Sequence, residues 1–383
     1  MQTCDPLIVF CESGSVIGAL RSWTTYTPLL AVLLLGAVWG RDLGAVVTTL
    51  VALVLAGAIL AAVHHAEVVA HRVGEPFGSL VLAVAVTVIE VALIVTLMVS
   101  GGKDSSSLAR DTVFAAVMIT ANGIVGLCLL VGAARFGLAV FNAEGTGAAL
   151  ATVATLAALS LVLPTFTTSR PGPEFSPAQL AFAAIASLLL YATFVVTQTV
   201  RHRDFFLPVE HDDHAPVGST PNGGDEHAAP PSGRQALVSL GLLLLALVGV
   251  VGLAKVESPA IESGVAAAGF PHSFVGVVIA LLVLLPETVA ALRAALRNKV
   301  QISLNLALGS AMASIGLTIP TIAIATIWLD GPLVLGLDPT QIVLLGLTVV
   351  VGVLTVVPGR ATRLQGAVHL VLLAAFVFLA INP

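Results

Sequence analysis

The chain has 383 residues, 57% of them hydrophobic and only 10% charged, with a mean hydropathy of +1.05. A soluble globular domain carries about 25% charged residues, so this composition excludes one and indicates a polytopic membrane protein. A net charge of −5 constrains little where most of the surface faces lipid. The three cysteines, Cys4, Cys11 and Cys128, match neither a disulfide framework nor a metal motif.

The first stretch, MQTCDPLIVFCESGSVIGAL, lacks a basic n-region and a clear cleavage site, and reads as a cytoplasmic lead-in rather than a signal peptide. A span needs about 20 largely apolar residues. That ruler predicts eleven, near 26–39, 44–63, 76–99, 111–133, 146–164, 178–200, 235–254, 272–296, 301–328, 339–357 and 363–381. Turn residues separate them: Gly40-Arg41-Asp42, Gly101-Gly102-Lys103-Asp104, Arg170-Pro171-Gly172-Pro173, Asn298-Lys299 and Pro358-Gly359-Arg360. The stretch 201–234 is rich in Pro, Gly, Asp and His, has little from which to build a core, and reads as an acidic, His- and Pro-rich linker. The expected organisation is a lead-in with the first span (1–43), a five-helix repeat (44–200), the linker (201–234) and a second five-helix repeat (235–383).

Basic residues set the orientation. The N-terminal side and the even-numbered loops hold Arg21, Arg72, Arg135, Arg201, Arg203, Arg234, Arg293, Arg297, Lys299, Arg360 and Arg363. The other side holds only Arg41, Lys103, Arg110, Arg170 and Lys255. The N-terminus and linker are therefore expected in the cytoplasm and the C-terminus outside, in a bacterial-type inner membrane.

Two spans each carry one deep acid, Glu90 in the third and Glu287 in the eighth. A charged side chain at the bilayer centre costs about 2.5–3.5 kcal/mol on insertion scales, which makes such acids functional candidates. Each follows a polar, Glu-bearing connector and precedes a short turn and a helix rich in small residues, FAAVMITANGIVGL from Phe114 and NLALGSAMASIGLT from Asn305. The repeat is five spans long. Five is odd, so the second copy enters the membrane from the opposite face, the inverted architecture of secondary transporters whose site lies near the midplane.

Around the acids, Ser303, Ser310 and Ser314 share one face of the ninth span, and Gly309 and Ala311 allow close helix approach. Asn122 sits in the fourth span, and Thr87 one turn before Glu90. Pro286, just before Glu287, frees a backbone carbonyl that a cavity can use. Carboxylates, hydroxyls, an amide and freed carbonyls make an all-oxygen site, which suits a hard cation such as Ca2+ with six to eight oxygens. No His or Cys stands mid-helix beside the glutamates, against zinc or copper. Two ionised carboxylates balance one divalent ion, and without it their mutual repulsion favours protonation. The site would then hold either two protons or one Ca2+, with Ca2+ as transported substrate and no resident cofactor. The connector acids Glu67, Glu75, Glu257 and Glu262 are read as solvated interfacial charges. An enzyme is not expected: H-E-x-x-H and G-x-S-x-G are both absent. Inorganic cations, protons and membrane lipid are the expected partners, with no nucleic acid.

At these residues the chain resembles the calcium/proton antiporters of the cation/calcium exchanger superfamily, and most closely the bacterial sodium/potassium/calcium–proton antiporter branch. The stretches that carry the likeness are VGEPFGSLVLAVAVTVIEVALIVTLMVSGG, LARDTVFAAVMITANGIVGLCLLVG and PETVAALRAALRNKVQISLNLALGSAMASIGLTIP, the last with a Gly-Ser-Ala run and a Pro320 expected to end its helix. The resemblance implies Glu90 and Glu287 as the cation-binding, proton-carrying acids, with the third, fourth, eighth and ninth spans enclosing the site. A departure is Thr87-Val88-Ile89 and Leu284-Leu285-Pro286 where many members have Gly-Asn before the acid. Exchange of cytoplasmic Ca2+ for external protons is the expected function, and a Na+ or K+/proton antiporter the alternative.

Overall fold

A computed structural model describes residues 23–41, 43–74, 77–100, 106–209, 231–328 and 332–383. The lead-in, Glu75 and most of the linker lie outside the described residues. Among the described residues the chain is an all-α bundle of eleven helices: α1 Trp23–Val38, α2 Ala45–Val73, α3 Phe77–Ser100, α4 Leu108–Phe136, α5 Ala143–Phe166, α6 Pro177–Arg201, α7 Gly233–Ala267, α8 Phe274–Leu296, α9 Val300–Ala325, α10 Pro339–Val356 and α11 Arg363–Ile381. Among the described residues nine are long and apolar enough to cross a membrane; α1 and the Val84–Thr96 portion of α3 are shorter apolar helices. One α-helical residue adds 1.5 Å, so α7 at 35 residues measures about 52 Å and extends well beyond the hydrocarbon core.

Helix ends follow local chemistry. Gly74 ends α2 and Gly137 ends α4, each at positive φ with its N–H bonded back to the helix, a backbone conformation that glycine adopts without a Cβ penalty. The starts of α6, α7, α10 and α11 each use a capping box, Ser176/Gln179, Ser232/Gln235, Asp338/Gln341 and Thr362/Gln365, which satisfies backbone N–H groups that a helix start otherwise leaves open.

Among the described residues, loops of matching parity meet. On one side Ala139–Val140, after α4, pairs antiparallel with Arg360–Ala361, after α10, and Arg72 lies beside Gly233. On the other side Val334, after α9, donates its N–H to Ser106 O at 3.1 Å and bridges Glu174. Eleven alternating crossings require this sorting. It defines a linker side, where α6 ends and α7 begins, and an opposite side.

The two five-helix repeats, α2–α6 and α7–α11, interlock by exchange: α2 lies on α7, α8 on α4, α3 on α9, α6 on α9 and α11 on α4. Glycines set the last two crossings. A Cβ on Gly316 would stand 2.8 Å from Tyr191 Cβ, and one on Gly126 would stand 2.8 Å from His369 Cβ. α1 is the extra helix. Buried His65 of α2 ties it down, with one ring nitrogen 3.0 Å from Thr24 O and the other 3.4 Å from Ser239 Oγ of α7.

Three expectations change. The second and seventh spans do not stop at residues 63 and 254 but continue as helix to Val73 and Ala267, because α2 and α7 pack against each other and hold the chain helical, α7 even through Pro259. Glu257 is consequently buried, 5% exposed, rather than a solvated loop charge. Pro320 does not end α9, which continues to Ala325; the surrounding helices hold the chain helical past the lost hydrogen bond. The start of the linker is also ordered: a 3-10 turn, Arg203–Phe206, buries Phe206 edge-to-face on Phe194 with centroids 5.6 Å apart.

Candidate functional site

α3, α8 and α9, each carrying polar residues on an otherwise apolar helix, meet around a cavity of about 360 Å³ whose fourth wall is the last half of α6. Glu90 and Glu287 both line it and are both buried, 4% and 7% exposed. They come from opposite repeats and lie within electrostatic reach of each other. Ser314 Oγ donates to Glu90 Oε1 at 2.5 Å. Glu287 Oε2 is buried with no hydrogen-bond partner among the described residues. A buried acceptor left open is costly, and Glu287 is one of the residues that line the cavity.

Thr87 and Ser310 also line the cavity. Gly309 does too, and a Cβ there would meet no atom within 4 Å; its lack of a side chain enlarges the cavity rather than admitting a neighbouring helix. Ser303 points elsewhere, donating to Ala291 O at 2.7 Å. α8 passes through Pro286 without interruption.

Asn122 stands outside the cavity lining. Its Nδ2 donates to Thr348 Oγ1 at 2.8 Å, and its Oδ1 lies 3.1 Å from His369 Nδ1. Thr348 donates on to Leu344 O, and His369 Nε2 lies 3.1 Å from Thr355 Oγ1. This buried chain joins α4, α10 and α11. Asn122 belongs to a π-helical segment, Ile119–Ile124, whose wider winding changes which residues of α4 face the acids. The α4 wall of the cavity is contributed by Ala116.

Of the connector acids, Glu67 is exposed, within electrostatic reach of Arg293 and Glu287. Glu262 accepts from Ser258 Oγ at 3.2 Å, and Glu257 Oε2 has no partner among the described residues. Sequence reasoning missed Tyr191, Phe194, Gln198 and Asn305, all of which line the cavity. The available signal was an amide within an apolar span, Gln198 in YATFVVTQTV and Asn305 in SLNLALGS.

On the opposite side, buried polar and aromatic contacts join the helices. Arg110 Nε donates to Asp111 Oδ1 at 2.8 Å, both side chains being buried, and Arg110 Nη1 reaches Gly336 O at 3.2 Å. Phe114 of α4 and Phe376 of α11 meet edge-to-face, centroids 5.5 Å apart. No group of three or more His, Cys, Asp or Glu residues suited to a metal occurs among the described residues.

Two interlocked inverted repeats, with an acid from each in one membrane-embedded cavity, define a secondary transporter. The sodium/calcium exchanger protein family matches residues 43–200 and 238–382, and the chain belongs to that family, one of transporters and not of catalytic enzymes. Protein y4hA of Sinorhizobium fredii is 47% identical over 329 residues, covering 86% of this chain and 87% of the relative. The sodium-potassium/proton antiporter ChaA of Escherichia coli is 34% identical over 353 residues, covering 91% and 93%. The Ca2+/H+ antiporter of Aphanothece halophytica is 24% identical over 326 residues, covering 83% and 86%. Among solved structures, native YfkE shares the fold with a TM-score of 0.68 at 16% identity, covering 94% of this chain and 99% of the other. The H+/Ca2+ exchanger CAX does so at 0.66 and 15%, covering 93% and 86%.

Proposed function

We propose that this protein is a proton-coupled cation antiporter that exports Ca2+ by alternating access, with Glu90 and Glu287 binding the cation and the counter-transported protons in turn. The observation that carries the reading is the pairing of two buried carboxylates, one from each repeat, in one cavity. Thr87, Ser310 and Ser314 add hydroxyl oxygens, so two carboxylates and three hydroxyls supply up to seven oxygens, within the range that Ca2+ takes. Ionised, the acids neutralise a divalent ion; emptied of it, they repel each other in a low-dielectric place and take up protons. Binding of the two ligands is thereby mutually exclusive, which is the condition for exchange. The basic-residue asymmetry supports a cytoplasmic linker side in a bacterial plasma membrane.

A Na+ or K+/proton antiporter is the second reading, favoured by the 34% identity to a relative named as a sodium-potassium/proton antiporter. The deciding experiment follows cation-triggered proton efflux from acid-loaded proteoliposomes with Ca2+, Na+ or K+. Collapse of the pH gradient by Ca2+ in wild type, and not in Glu90→Gln or Glu287→Gln, supports the first reading. Response to Na+ or K+ alone supports the second. Normal exchange in either Gln variant refutes the site.

A further inference from the structure

The cavity has two ends of different chemistry. Glu90, Glu287 and Ser314 form the deep end. At the other end, where Ile302 is 38% exposed and Gln198 half-buried, stand two amides, Gln198 of α6 and Asn305 of α9. Among the described residues that line this end, no hydroxyl or carboxylate accompanies them.

Hydrogen bonds fix how Asn305 is turned. The backbone N–H of Asn142 can only donate, and it lies 2.6 Å from Gln301 Oε1. Gln301 Nε2 must then be the donor to Asn305 Oδ1 at 2.8 Å. Asn305 Nδ2 in turn donates to Phe206 O at 2.6 Å. Asn305 is thus held by two partners, Gln301 of its own helix and Phe206 of the turn after α6, and its Oδ1 keeps one lone pair. Gln198 sits in the π-wound last turn of α6, Thr197–Arg201, and has no hydrogen-bond partner among the described residues. π-wound turns occur frequently at functional sites.

The opposite repeat supplies a comparison. Gly126 and Gly316 match at an offset of 190 residues, which carries Asn305 to Ala115, the residue after Phe114. Tyr191 and His369 occupy matching places against Gly316 and Gly126, an offset of 178 residues, and the same offset carries Gln198 to Phe376. Phe376 meets Phe114 edge-to-face on the side opposite the linker. The fold therefore accepts an aromatic residue at the position of Gln198, and that amide is not a requirement of packing.

A cavity of about 360 Å³ holds on the order of a dozen waters at about 30 Å³ each, so a cation enters it hydrated. We propose that Gln198 and Asn305 form a vestibule on the linker side where the cation exchanges shell waters for amide oxygens before it reaches Glu90 and Glu287. The amides are neutral, so they hold the ion weakly enough to release it inward. This rests on the antiporter reading above and adds residues to it.

The test applies CaCl2, NaCl or KCl to each face in turn, using everted and right-side-out membrane vesicles from a host lacking its own cation/proton antiporters, with proton flux as the readout. In Gln198→Ala and Asn305→Ala the half-saturating cation concentration at the linker face is expected to rise about 5- to 20-fold, by analogy with losing one polar ligand contact. At the opposite face it should stay within about twofold, as should the maximal rate. Equal shifts at both faces, or none at the linker face, overturn the vestibule. If Asn305→Ala does not assemble in the membrane, Gln198→Ala decides alone, since that side chain breaks no hydrogen bond when removed. Wild-type vesicles that move no protons with any of the three cations overturn the antiporter reading and the vestibule with it. Wild-type exchange that Glu90→Gln abolishes, with both amide variants unchanged, removes the vestibule only.

Discussion

Glu90→Gln is the most informative single change, because the structure separates its electrostatic effect from its structural one. Gln is isosteric with Glu, and its Oε1 can keep accepting from Ser314 Oγ, now at 2.5 Å, so folding stability should change by less than about 1 kcal/mol. What is lost is one negative charge facing the cation. A divalent ion about 4 Å from one carboxylate gains roughly 8 kcal/mol gross at an effective dielectric near 20, twice the value for a monovalent ion. Desolvation takes back most of this. What remains should at least equal a hydrogen bond to a charged group, about 1.5–3 kcal/mol, or roughly 10- to 150-fold in affinity. Titration calorimetry of the purified protein, with CaCl2 and separately NaCl, measures this directly, and thermal unfolding of the same sample checks the fold. The loss should be larger for Ca2+ than for Na+. An unchanged unfolding temperature with Ca2+ affinity within threefold of wild type would refute the argument that this carboxylate holds the ion.

The other expectations concern packing and the polar network. Gly126→Val should lower stability by about 1–3 kcal/mol through overpacking, since a Cβ there meets His369 Cβ at 2.8 Å and Gly366 O at 3.0 Å; Gly309→Ala, with nothing within 4 Å, should leave the unfolding midpoint within a degree or two. Arg110→Met strands the buried Asp111 carboxylate and should cost about 3–5 kcal/mol, with much of that recovered in an Arg110→Met, Asp111→Leu double variant; a lone Arg110→Met as stable as wild type would show that the pair contributes nothing. Asn122→Ala removes the partner of Thr348 and His369 and should cost about 1–3 kcal/mol in stability, while half-saturation by cation shifts less than threefold. A tenfold shift at unchanged stability would put Asn122 among the ligands.

Much of this molecule is legible in its chain because the relevant physics is local. Lipid demands about 20 apolar residues per crossing, so the spans are visible as composition, and the odd repeat length makes the inversion a matter of counting. An acid within such a span is conspicuous because its burial is costly, which is how Glu90 and Glu287 stand out without any knowledge of neighbours. Where a span ends is less legible: α2 and α7 continue through polar residues because each covers the other, and that support comes from residues about 190 positions away. The same applies to side-chain roles. Asn122 is as polar as Asn305, and both lie on small-residue helices in corresponding repeats. Only the assembled bundle turns Asn122 toward Thr348 and His369 through the π-wound segment of α4, and turns Asn305 toward the cavity beside a glutamine from α6. Helix identity and the presence of deep acids were determined by the sequence alone, through local hydrophobicity. Which polar groups share a cavity was decided by tertiary structure, because facing partners depend on helix phase and on contacts between the two repeats that no local pattern encodes.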